Sequence, residues 1–248
     1  MLGATAASVQ TGFHPKQLET GGVVLRAWFD LRDPTTYDVT AGRIVTIRNK
    51  VTGAAFVEQS SSGPLLVQDF NGGPAMLANG SSNFLAGTEA ALLQTWAANA
   101  GDQTHTLVHL YKHVGGAPYS VGSTTENFDD SSWTGTGYNR SDGGTVTWLG
   151  DQTVGLDAHA QCIRYRGSAL DPQITLDSTH QTVSVASGTP PKAIASPDQF
   201  VLLAIGRAIK SSFFSGRLAQ VIIYSGIVTD AQAIQATTGV RNWYGYHG

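Results

Sequence analysis

The stretch "GRLAQVIIYSGIVTDAQAIQATTG" constrains the fold more than any other part of this sequence. Strict alternation puts Ala219, Val221 and Ile223 on one side of a strand and Leu218, Gln220, Ile222 and Tyr224 on the other. Both sides are largely apolar, so the strand is expected to be central and covered twice. After a turn at Ser225-Gly226, Thr229 stands three residues before Gln232. That spacing forms a capping box and predicts a helix beginning at Asp230, whose carboxylate suits the positive end of the helix dipole. Ile234, Val240 and Trp243 are expected to form its buried stripe, and Gly239 weakens its middle by about 1 kcal/mol relative to alanine. The expected place for this helix is an open end or edge of a sheet structure.

The remaining segments read as short antiparallel strands. "VVLRAWFDL" carries Val23, Leu25, Ala27, Phe29 and Leu31 at alternate positions, a pattern that predicts one core-facing side. Asn71-Gly72 and Asn79-Gly80 flank "PAMLA" as hairpin turns and imply three strands close together. "THTLVHLYKH" predicts a strand with Val108 and Leu110 on one face. Further strands are expected at "AHAQCIRYRG", "QTVSVASG" and "QFVLLAIGRA". Composition agrees: 29 glycines and only 13% charged residues in 248 suit strands and turns better than a helical bundle. One all-β domain over residues 21–248 is expected, preceded at residues 1–20 by an extended polar arm. The arm lacks periodicity, so something must pin it if it is ordered, and a neighbouring subunit is the first expectation.

A net charge of -3 and a pI near 6.1, with scattered Lys and Arg, exclude a phosphate-binding face and argue against nucleic acid. Cys162 is the single cysteine, so no internal disulfide forms, and it is expected to be a small apolar filler. The first residues show neither a basic start nor an apolar run, so no signal peptide, membrane anchor or membrane insertion is expected.

Motifs along both ends of the chain resemble the concanavalin A-like lectin/glucanase superfamily, in particular the laminin-G-like jelly rolls of bacteriophage virion proteins. The resemblance rests on "LRAWFDLRD", "RNKVTG", "FNGGPAMLANGSSNFL", "FFSGRLAQVIIYSGIVTDAQAIQ" and "NWYG", covering residues 23–87 and 199–246. It implies an antiparallel two-sheet jelly-roll sandwich with a short C-terminal helix. It also implies a non-enzymatic virion protein, such as a capsid decoration, head-fibre or tail accessory protein assembled in the host cytoplasm. Capsid or tail proteins would be its partners, host-surface glycans would be further ligands, and homo-oligomers are expected because virion positions repeat. The alternative reading is a carbohydrate-binding module, and a glycan-degrading enzyme ranks third.

Catalytic motifs are absent from the sequence. Glycosidases on this sandwich place paired carboxylates on a strand of Glu-x-Asp-x-x-Glu type. Here only Glu19, Glu58, Glu89 and Glu126 occur, and none stands in such a pattern. His105, His109 and His113 share a strand face but spread over about 27 Å, too far for one ion, at about 3.3 Å per residue. The best candidate recognition surface is the polar, aromatic middle, "NFDDSSWTGTGYNRSDGGTVTWLGDQ", expected to be a long surface excursion followed by a strand. Asp129, Asp130, Trp133, Tyr138 and Asn139 supply what a sugar needs: stacking rings and hydrogen-bonding groups, sometimes organised by Ca²⁺. No cofactor is otherwise expected.

Overall fold

The computed structural model describes residues 12–59, 63–90, 92, 104–114, 119–123, 129–132, 137–141, 145–149, 157–166, 172–187, 200–202, 204–205 and 212–246. At its centre runs the strand Ser215–Ser225. Thr104–His113 pairs along one side of it, while Gly73–Asn79 and Val24–Asp30 share the other. Outward from Thr104–His113 follow Ala158–Arg166, Gln173–Leu176 and the two-residue Thr179–His180. These strands form the first sheet.

A second layer begins at Tyr37–Thr40 and passes through Arg43–Arg48, Ala55–Glu58, Leu85–Gly87, Phe200–Leu202 and Tyr119–Ser123. It continues through Asp129–Ser132, Gly137–Ser141, Thr145–Leu149 and Ser184–Ser187. Every pairing is antiparallel, and the Leu65–Phe70 strand, hairpinned to Gly73–Asn79, joins the layers by also touching Arg43. Phe29, Ile163, Val221 and Ile223 from the first layer meet Ile44, Ile47, Phe56, Leu85 and Leu202 from the second in one buried core. The architecture is an all-β antiparallel sandwich, open rather than closed, with one C-terminal helix.

Two bulges change which side chains enter that core. In Val24–Asp30 the register slips between Leu25 and Ala27. Ala27, Phe29 and Leu31 point between the sheets, but Val23, Leu25 and Trp28 join a second core on the outer face. In Ser215–Ser225 a slip between Leu218 and Gln220 puts Leu218 with Val221 and Ile223, and Ala219 with Ile222 and Tyr224. Strict alternation assigned Val23, Leu25, Leu218 and Ala219 to the wrong sides, because an extra residue in one strand inverts the parity of everything beyond it.

The helix Asp230–Trp243 forms a third layer. Its capping box is made as expected, with Gln232 N donating to Thr229 Oγ1 at 3.2 Å and Thr229 N donating to Gln232 Oε1 at 2.8 Å. It does not plug an end of the sandwich. It lies across the outer face of the first sheet, where Ala233, Ala236 and Val240 pack with Val108, Leu110, Ala158, Ala160, Cys162 and Ile222. Short side chains at 158, 160 and 162 let the helix come close, so alanines bury there and Ile234 stays 37% exposed. Cys162 is the expected filler, and burial pushes its thiol up to about 12. Among the described residues no helix is long and apolar enough to cross a membrane.

Residues 12–20 of the arm dock on their own chain, and residues 1–11 lie outside the described residues. A 3-10 turn at Pro15–Leu18 buries Leu18, the Tyr224 hydroxyl donates to Pro15 O at 3.0 Å, and Gln232 Nε2 donates to Leu18 O and Thr20 Oγ1. Gly239 makes room for this arm. A Cβ there would stand 2.3 Å from both Cβ and Cγ of Phe13. Gly239→Ala should therefore lose about 1–2 kcal/mol, because overpacking outweighs the roughly 1 kcal/mol gained in helix propensity. In a Phe13→Ala background the same substitution should become stabilising. Thermal melts of the four proteins check this, and a stabilised single variant would contradict it.

Candidate functional site

The residues singled out in the sequence lie in two places. Asp129 and Asp130 sit in Asp129–Ser132, and Tyr138 and Asn139 in Gly137–Ser141, so the expected surface excursion is a strand pair within the second layer. The pairing sets Asp130 opposite Arg140, Ser131 opposite Asn139 and Ser132 opposite Tyr138. By parity Asp130 and Tyr138 fall on one side of the pair, and Asp129 and Asn139 on the other. Trp133 lies outside the described residues, as does Glu126.

Two of the strand histidines serve the interior. His105 and His109 are fully buried, with His109 Nε2 2.8 Å from Gln161 Oε1 and His105 stacked on Tyr165 at 5.4 Å. The three other glutamates bond to backbone or amide groups: Glu19 accepts from Leu25 N, Glu58 from Gly63 N and Glu89 from the Asn49 amide. No three His, Cys, Asp or Glu side chains converge to hold a metal among the described residues, so no residue set there is assigned to Ca²⁺.

One cleft is built from polar side chains, between the sheet and the C-terminal helix. The turn joining Gln173–Leu176 to Thr179–His180 consists of Asp177 and Ser178, with φ of 47° and 74°. A two-residue hairpin of this geometry favours Asn-Gly, and two consecutive non-glycine residues there carry backbone strain. Their side chains anchor the turn to its neighbours. Asp177 accepts from Ala160 N at 2.9 Å and Arg241 Nη1 at 3.0 Å on one oxygen, and its other oxygen meets His159 Nδ1 at 2.6 Å. Ser178 and Thr238 share a hydroxyl hydrogen bond of 2.7 Å.

Thr238, Arg241 and Asn242 lie three and four positions apart, which puts them on one helix face. With Tyr246 they complete a cleft of about 340 Å³. Sequence reading passed over it. The Thr238, Arg241 and Asn242 stripe was visible as a polar face on a predicted helix, but the Asp177-Ser178 turn carries no glycine to announce itself.

These features define an antiparallel β sandwich whose polar cleft is walled by the C-terminal helix. No protein-family model matches the sequence, and no curated protein does so. Among solved structures the fold is similar to botulinum neurotoxin type C, in a study of its interaction with two ganglioside molecules, with a TM-score of 0.52 and 8% identity over 90% of this chain and 51% of that one. It is similar to Trypanosoma rangeli sialidase in complex with the inhibitor DANA, with a TM-score of 0.50 and 11% identity over 96% of this chain and 36% of that one. Domain 4 of an extracellular arabinanase from Geobacillus stearothermophilus, in complex with arabinotriose, superposes with a TM-score of 0.47 and 13% identity over 88% of this chain and all (100%) of that one. At such identities the likeness establishes the fold alone.

Proposed function

We propose that this chain is a non-catalytic glycan-binding module. The observation that carries the reading is the cleft itself: a charged pair, an amide, two hydroxyls and Tyr246 line one open depression, with the Tyr246 ring packed edge to face on Phe70 beneath. Saccharide recognition needs this mixture, hydrogen-bonding groups for ring hydroxyls and an aromatic body for C–H faces. Botulinum neurotoxin type C, of similar fold, interacts with gangliosides, an analogy of fold that reaches glycan binding in general and not the charge of the glycan. The carboxylates whose bonds are described are spent on backbone, amide and cationic partners, which supports binding without hydrolysis.

Bacteriophage virions are the proposed setting, with capsid or tail proteins as neighbours and repeated copies on the particle. That setting rests on the motif resemblance; the cleft supports the glycan role directly. The strand pair carrying Asp129, Asp130, Tyr138 and Asn139 is proposed as a second adhesive element, with Asp130 and Tyr138 on one face and Asp129 and Asn139 on the other.

The full chain, passed over a broad glycan array with Ca²⁺ and again with EDTA, is expected to show saturable binding to at least one saccharide class. Incubation with the bound glycan should release no reducing ends. Absence of binding across the array, or release of reducing ends, would overturn the proposal.

A further inference from the structure

Charge and unspent hydrogen-bonding capacity in the cleft select among glycans, a conclusion that rests on the glycan-binding reading. Asp177 and Arg241 form an ion pair at 3.0 Å, so the site's one carboxylate and one guanidinium offset each other. Asp177 is committed further to Ala160 N and His159, leaving little accepting capacity. Arg241 has the opposite balance. Of its five N–H donors one reaches Asp177, and its Nε is buried with no hydrogen-bond partner among the described residues.

Asn242 adds an amide that makes no side-chain hydrogen bond among the described residues, supplying two donors and a carbonyl acceptor. The Ser178 and Thr238 hydroxyls share one hydrogen bond, so one O–H donor remains for a ligand. The site therefore offers donors in excess, together with a few acceptors, at no net charge. Arg241 and Asn242 also stand in the last turn of the helix Asp230–Trp243, whose C-terminal end carries a partial negative charge.

An anionic ligand fits this balance poorly. A carboxylate or sulfate would give up its hydration to meet a guanidinium already neutralised by Asp177, beside a helix end that repels it. A neutral sugar hydroxyl donates and accepts at once, matching the mixed groups on offer. The volume, about 340 Å³, lies near the lower limit of small-molecule sites and suits one or two sugar units. The geometry points to this cleft as a site for an uncharged saccharide, gripped through neighbouring ring hydroxyls by Arg241, Asn242 and the Ser178–Thr238 pair, and selective against carboxylated or sulfated glycans.

The test uses the full chain and an array of neutral gluco-, galacto-, manno- and arabino-oligosaccharides printed beside sialylated, uronate and sulfated counterparts. Neutral members should bind. Asn242→Ala and Thr238→Val should each weaken that binding about tenfold, the loss of roughly one hydrogen bond to the ligand, while melting within about 2 °C of the parent. Calorimetry with the best neutral oligosaccharide at about 50 and about 500 mM NaCl needs no variant, and should show less than a twofold change in affinity, since no net charge is paired on binding. Binding confined to acidic glycans, or a steep loss with salt, would overturn the neutral-ligand assignment and leave the module reading standing. Neutral binding untouched in both folded variants would remove the cleft from the account and put recognition elsewhere on the sandwich. Silence across the whole array would overturn the glycan-binding reading itself.

Discussion

Phe29→Ala is expected to lower the stability of this protein by about 3–5 kcal/mol, the usual cost of emptying a large aromatic site in a packed core. Phe29 is 1% exposed and meets Phe56 edge to face at 4.9 Å. The two rings come from different sheets, so the contact spans the sandwich and neither layer can collapse into the void without moving the other. For a chain of this length the loss should lower the melting temperature by roughly 10 °C. Urea unfolding should show an earlier midpoint at an unchanged slope. A loss below about 1.5 kcal/mol would mean that the layers do not close around Phe29.

Asp230→Ala and Arg164→Met, although they remove opposite ends of one ion pair, are expected to differ in cost. Arg164 rises from the first sheet with a side chain only 3% exposed, and donates to Val228 O and to Asp230 at the helix start. Asp230 is 65% exposed. Removing the aspartate strands a buried cation on a single carbonyl and takes an acidic group from the helix N-terminus, at a cost of about 1–2 kcal/mol once solvent screening of the exposed carboxylate is allowed for. Replacing the arginine removes the buried charge as well, and an apolar chain of similar length fills its track. Arg164→Met should therefore be milder than Asp230→Ala.

The pair also leaves a pH signature. The Arg164 hydrogen bond and charge hold the Asp230 carboxyl below its ordinary value of 3.8. Because the folded state binds this proton less readily than the unfolded state, the contribution is complete above that value and is lost as pH falls through the lowered one. The parent protein should lose this increment on acidification below about pH 4, and Asp230→Ala should lack it. Equal pH dependence in the two proteins would contradict the assignment. Asp30 works in the other direction. Burial raises its carboxyl despite the adjacent Lys50, so the folded state holds that proton longer and stability falls as pH rises above 3.8 toward the raised value.

Local signals in the sequence translated well into local structure. Thr104–His113 forms over the residues its alternation marked, and Val108 and Leu110 share the face expected of them. Asn71-Gly72 takes the two positive φ values, 51° and 74°, that an Asn-Gly hairpin demands. The helix starts at Asp230 behind its capping box. Each of these outcomes is settled by neighbours within a few residues, by hydrogen bonds and sterics that any chain with those side chains would meet.

The candidate surface fared differently. The segment around Asp129 and Asn139 is rich in Ser, Asp and Gly, with low strand propensity, yet its backbone pairs in register between two other strands. Strand propensity is mainly a matter of fit to a neighbouring sheet, and that neighbour is absent from a sequence window. The cleft was less legible still. Asp177 and Arg241 are 64 positions apart in the sequence and meet only because a hairpin turn and the last turn of a helix are folded onto the same sheet.

By itself, then, the order of residues determined most of the central strands, the Asn71-Gly72 hairpin, and the helix with its cap; the Asn79-Gly80 turn, expected as a second hairpin, instead carries the chain to Leu85–Gly87 in the other layer, where a different neighbour pairs it. The tertiary structure alone decided which side of each strand faces the core beyond a bulge, that the helix covers a face, and that the Asp177-Ser178 turn shares a cleft with Thr238, Arg241 and Asn242. The division has one physical cause. Alternation and capping depend on contacts between sequence neighbours, whereas a bulge, a docking face and a composite site depend on what another part of the chain presents, and that is defined only once both parts are packed.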